Sequence, residues 1–231
     1  MKKFLKISGL IMIIASPLLI NSCKKSDTSS AITDKDGNTY TSVTIDTQTW
    51  MVENLKTTKY SDGSPIPLIT TLSGWSGLQT PGCCFYDNDE STYKADYGAL
   101  YNWFALDGKS NGNKNICPTG WHVPDNSDWA TLITYLGGES VAGGKMKETG
   151  VTHWKSPNTG ATNESGFKAL PGGEPMPPLW FANIGGMGEW WSSTESNYLD
   201  GNYLYITFDN NIIIRSSIYK NGGFSVRCIK N

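Results

Sequence analysis

Histidine is nearly missing from this chain. Only His122 and His153 occur in 231 residues, and no HExxH sequence is present. The common zinc-hydrolase site therefore has nothing to be built from. A metal on the two histidines would need further ligands that the sequence does not name. A basic excess is missing too: 19 Lys and Arg stand against 21 Asp and Glu, so there is no footprint for nucleic acid or an anionic surface. The densest acidic cluster, Asp87-Asn88-Asp89-Glu90, lacks the glycine and distal glutamate of an EF-hand loop and reads as solvated. No internal repeat is visible. From these absences we expect no catalytic residue, no metal and no cofactor.

Glycine and large aromatics are plentiful, with 25 Gly, nine Trp and eleven Tyr. That composition describes a loop-rich fold whose core relies on big rings. Surface Trp and Tyr are also what a sugar-binding face is made of.

The N-terminus reads as an address. Lys2, Lys3 and Lys6 precede an apolar run over residues 7–20, interrupted by Ser8, Ser16 and Pro17. The run is too short for a bilayer span, which needs about 20 apolar residues. Leu19-Ile20-Asn21-Ser22-Cys23 resembles a lipoprotein cleavage site, with the cut before Cys23 and a lipid on its thiol. Residues 1–22 are thus expected to be a signal peptide, 23–33 a lipidated cysteine and polar tether, and 34–231 the folded domain. A lysine after Cys23, by analogy with bacterial lipoproteins, implies an outer-membrane lipid anchor, on the periplasmic or the cell-surface side. The signal removes three of the basic residues and no acidic one, leaving 16 against 21, a formal charge of −5.

Four cysteines remain in an exported chain: Cys83, Cys84, Cys117 and Cys228. They allow three pairings, among which sequence alone does not choose. The pairing expected here is Cys117 with Cys228, both on apolar strands at two ends of the core. A Cys83–Cys84 bond would need a strained eight-membered ring, so two free thiols, or one paired with another cysteine, are the alternatives.

The best-specified element follows Cys117. Pro124 ends a short strand, Asp125 is an N-cap, and Asp128 places a carboxylate in the first helical turn. Trp129, Leu132, Ile133 and Leu136 make one apolar stripe, and Gly137-Gly138 supplies the stop. A second helix is expected from Asp96 or Tyr97 to Asp107-Gly108, with Leu100, Trp103 and Phe104 facing inward, and one helical turn over 143–148. Residues 40–45 and 49–55 read as a hairpin around Asp46-Thr47-Gln48. Strands are expected at 166–171, 189–193, 203–208, 212–217 and 224–229, with Phe224, Val226 and Cys228 facing inward. Long loops remain at about 149–165 and 172–188, and loops of that length tend to be functional. Two main helices packed on an antiparallel sheet with long loops make an α+β domain.

Cys117-Pro118-Thr119-Gly120-Trp121-His122-Val123-Pro124 with Trp129 resembles the signature of the Fibrobacter succinogenes major paralogous domain. The likeness extends through Tyr97-Gly98-Ala99-Leu100-Tyr101-Asn102-Trp103, Asn158-Thr159-Gly160-Ala161-Thr162-Asn163, Trp190-Trp191-Ser192-Ser193-Thr194-Glu195 and Gly223-Phe224-Ser225-Val226-Arg227-Cys228. It covers roughly residues 34–231. The arrangement also resembles the C-type lectin fold, as used by formylglycine-generating enzymes, and that likeness implies a C-type-lectin-like domain whose loops carry the ligand site.

The expected function is accordingly a non-catalytic binding module for a glycan or a surface protein. Trp154, Glu174, Trp180, Trp190 and Trp191 are its candidate ligand-binding residues. Glu174-Pro175 is similar to the start of a lectin Glu-Pro-Asn motif, but Met176 stands in the asparagine's place. A formylglycine-generating catalyst is one alternative, although such enzymes use two reactive cysteines near the final strands, where only Cys228 is found. An architectural subunit of a surface assembly is the other.

Overall fold

A computed structural model describes Met1 and residues 31–176 and 180–231. The expected signal peptide, Cys23 and most of the tether lie outside the described residues. Among those described, no helix is long and apolar enough to cross a membrane.

The helix after Asp125 forms as its residues dictate. It spans Asn126–Tyr135, and the capping box is complete: the Asp125 carboxylate accepts from the N–H groups of Ser127 and Asp128, while Asp128 accepts from the N–H of Asp125. Such a cap is worth about 1 kcal/mol. Trp129, Leu132, Ile133 and Leu136 are all buried. Gly137 and Gly138 follow with positive φ, and the chain enters directly a second helix, Glu139–Met146.

The remaining architecture corrects the expected one. Two main helices on one antiparallel sheet, and with them the C-type-lectin-like α+β arrangement, are not what the described residues form. Their regular structure is mostly strand, in five sheets of two to four strands, with five short helices of which the longest has ten residues. The expected helix over 96–107 is where the difference is greatest. A helix does occur earlier, at Glu90–Tyr97, capped by Asp89. It stops at Gly98, whose φ of 78° suits glycine and where a Cβ would lie 2.6 Å from the Leu55 carbonyl oxygen. Leu100–Tyr101 is then a strand paired with Cys83–Cys84, and Trp103–Ala105 is a single 3-10 turn. Leu100 and Trp103 are buried as expected, on an extended backbone instead of a helical one. The expected strand over 166–171 reduces to one bridge between Lys147 and Ala169.

The N-terminal hairpin is present as Ser42–Ile45 and Gln48–Met51, turning at Asp46 with positive φ. It joins a four-stranded sheet with Ile229–Lys230 and Trp121–His122. Met187–Glu195, Asp200–Thr207 and Ile213–Tyr219 make a three-stranded antiparallel sheet, with Trp190 opposite Leu204 and Trp191 opposite Tyr203.

Two cores flank the last segment. Phe224, Val226 and Cys228 enter one with Trp191, Tyr101 and Cys117, whereas Ile229 enters the other with Trp50, Trp129, Phe167 and Trp190. Residues 223–229 are buried without exception, because the segment has neighbours on both faces. Its backbone groups bond in turn to Tyr101, Glu189, Leu55 and Met51. In place of the expected strand over 224–229 there are isolated bridges at Phe224 and Ser225 ahead of Ile229–Lys230, and the segment, running between two cores, buries Ser225 and Arg227 as well. Cys117 and Cys228 form a disulfide across a separation of 111 residues.

Candidate functional site

The tryptophans expected to meet a ligand go mostly into the cores. Trp154, Trp190 and Trp191 are at most 1% exposed, and their indole N–H groups donate inward to the Ala169 carbonyl, the Asn54 side chain and the Tyr101 carbonyl. A ring with both its faces packed and its N–H satisfied is core. Glu174 and Trp180 differ. They lie on a two-stranded ribbon, Glu174–Met176 paired with Trp180–Ala182, on which Met176 and Trp180 are exposed. Phe181 on the same ribbon packs on Tyr86 with ring centres 5.2 Å apart. The structure thus separates Glu174 and Trp180 from the other three candidates.

Glu174 has a partner that sequence reasoning missed. Glu189, on the first strand of the three-stranded sheet, is 3% exposed, and its Oε2 has no hydrogen-bond donor. Burial pushes its carboxyl well above the usual range, and the charge of Glu174 adds to the effect. Burial also raises Glu174, against the amide of Asn183, which donates to it at 2.8 Å. Two carboxyls short of donors favour the protonated form of at least one.

A concavity lies elsewhere, at the far end of the three-stranded sheet. It is a cleft of about 440 Å³ between residues 77–79, Phe104, the short helix Gly108–Asn111 and the loop 195–199, within the size range of ligand sites. Lys220 organises its floor. This lysine leaves the strand Ile213–Tyr219, where its N–H bonds the Leu199 carbonyl and its C=O takes the Trp103 N–H. Its buried ammonium donates to Glu195 Oε1 at 2.5 Å and to the Tyr198 carbonyl at 2.9 Å, and sits 4.7 Å from the centre of the Trp103 ring. Glu195 accepts from Lys109 as well, and the bonds from Lys220 and Lys109 hold its carboxyl below the usual range. Trp103 reaches this position only because residue 201 is glycine: a Cβ there would lie 2.3 Å from the indole.

The rim is aromatic. Tyr198 is 88% exposed and Tyr219 64%, with Leu199 exposed between them and Phe104 half-buried behind. Asn197 fixes the loop by accepting the N–H groups of Leu199 and Asp200. None of these residues is marked by the sequence as a ligand contact. Glu195 closes the Trp-Trp-Ser-Ser-Thr-Glu motif, and that was its only signal; the cleft depends on residues 79, 104, 198 and 219 meeting in space.

Among the described residues the cysteines are bonded or buried, and both histidines are hydrogen-bonded. Cys228 is spent in the disulfide. Cys83 and Cys84 are free and buried, and burial pushes the first thiol up to about 12 and the second well above its ordinary value, so neither supplies thiolate. His153 is hydrogen-bonded to Glu148, and His122 to Asn231. Among the described residues no group of three or more His, Cys, Asp or Glu is placed to hold a metal ion.

A model of the Fibrobacter succinogenes major domain matches residues 43–230, and the chain belongs to that family. No curated protein and no solved structure matches it. Membership names a domain and not an activity.

Proposed function

We propose that this chain is an outer-membrane lipoprotein, held through a lipid on Cys23, whose domain is a non-catalytic binding module for a glycan or a surface protein. The observation that carries it is the cleft at Lys220. Its charged floor is fixed by internal bonds while two tyrosines stand uncovered at its rim. A preorganised polar floor under exposed rings is how binding surfaces limit the entropy lost on association. Cysteines that are either disulfide-bonded or buried support the non-catalytic part. The acidic balance of the mature chain argues against nucleic acid as partner.

The test is binding of the mature lipoprotein to arrays of glycans and matrix proteins, with Tyr219→Ala as control. The expected result is retention of a ligand that the variant loses. Equal retention by both proteins would place the binding surface elsewhere, and no retention on either array would remove the proposal's content.

A further inference from the structure

We propose that the ligand of the Lys220 cleft is an uncharged, hydroxyl-rich chain, a neutral oligosaccharide; this rests on the cleft being the binding surface. Charge decides first between ligand classes. Four ionised side chains line the cleft, Asp107 and Glu195 against Lys109 and Lys220, and they balance. Each is already engaged. Lys220 and Lys109 share Glu195, and Asp107 caps the short helix by accepting from the Lys109 N–H and the Ser110 hydroxyl. A polyanion or a polycation would find no net charge of opposite sign here, and burying its own would go uncompensated.

The remaining polar capacity suits hydroxyl groups. Glu195 is 37% exposed at its side chain, so its carboxylate still has lone pairs facing the cleft. Among the described residues the side-chain amides of Gln79 and Asn221 make no hydrogen bond within the protein, and both line the cleft. An amide donates and accepts, as a sugar hydroxyl does. The rings supply the apolar part. Tyr198 and Tyr219 present flat faces with a polar tip, which matches a pyranose with its C–H face and its hydroxyl edge. A protein partner would be expected to bury a larger continuous apolar patch than two tyrosines and Leu199 provide.

The experiment is calorimetric titration of the full mature lipoprotein in detergent. The probes are cellohexaose, xylohexaose and N-acetyl-chitohexaose as uncharged chains, and hexagalacturonate as the charged one. We expect at least one uncharged chain to bind, with affinity little changed between about 0.05 and 0.5 M NaCl. A Tyr198→Ala/Tyr219→Ala double variant should lose about tenfold or more in affinity at an unchanged urea midpoint, and Tyr219→Phe should keep most of it. The proposal is overturned if only hexagalacturonate binds, if salt weakens binding about tenfold, if the double variant binds as the parent does, or if no uncharged chain binds. In that last case, Tyr219-dependent capture of a matrix protein would leave the binding-module proposal standing without the sugar; failure of both would remove both.

Discussion

Arg227 and Asn54 hold the two cores together. The Asn54 Oδ1 accepts from Arg227 Nε at 3.2 Å and Nη2 at 2.8 Å, and from the Trp190 indole at 2.9 Å. The guanidinium, 1% exposed, also donates to the carbonyls of Met51 and Phe167 and lies 4.3 Å from the Phe167 ring centre. Burial pulls its pKa down, and no carboxylate bonds to it among the described residues. The charge is tolerated because oxygens and an aromatic face surround it.

Removing the acceptor should therefore do more harm than removing the charge. Asn54→Ala leaves a buried cation and an indole N–H short of a partner, at about 3–5 kcal/mol. Arg227→Met removes the charge with its bonds and keeps most of the volume, so it should cost less. Urea midpoints of the two variants give the comparison, and a larger loss for Arg227→Met would contradict this account of the contact.

The disulfide should be worth about 4–5 kcal/mol in the chain-entropy model, because it closes a loop of 111 residues. A Cys117→Ala/Cys228→Ala protein should unfold at correspondingly lower urea. In the parent, alkylation without reductant should label no thiol when native and only Cys83 and Cys84 when denatured. Labelling of Cys117 or Cys228 would contradict the pairing.

Glu189 predicts a pH dependence. Its folded-state pKa is raised by burial, with Glu174 adding to it, above an unfolded value near ~4.3. As pH climbs past the unfolded value, the unfolded chain releases a proton that the folded chain retains, so this group's contribution to stability is full in acid and falls with rising pH. Glu189→Gln should flatten that slope and exceed the parent at pH 8 by at least ~1 kcal/mol. Parallel curves for variant and parent from about pH 4 to 9 would show that Glu189 is not the titrating group.

Fluorescence should separate core tryptophans from surface ones. Eight of the nine are 7% exposed or less, and Trp180 is 53% exposed. Acrylamide should reach about one emitter in nine, and Trp180→Phe should abolish that fraction. Unchanged quenching in the variant would mean that another indole lies open.

What the sequence disclosed, and what it hid, follow one division. Elements written in contiguous residues were legible: the Asp125 capping box with its apolar stripe and Gly137-Gly138, the hairpin turning at Asp46, and the three strands of the sheet that ends at Tyr219. The helix over 96–107 was misread because Leu100, Trp103 and Phe104 fit a helical period, while Gly98, pressed against the Leu55 carbonyl, stops the helix. The last segment alternates like a half-buried strand, but its position between two cores buries Arg227 too. Trp190 and Trp191 look the same in sequence whether they stack on a sugar or on Phe167 and Phe224. The cleft was illegible altogether, since Lys220, Glu195, Trp103 and Tyr198 meet only after the strands pair.

Hydroxyl-radical footprinting of the protein, with and without the ligand it retains best, tests most directly where binding occurs. The account predicts protection of Tyr198, Leu199 and Tyr219 with Met176 and Trp180 unchanged. Protection confined to Met176 and Trp180 would contradict it and move the site to the ribbon beside Glu174.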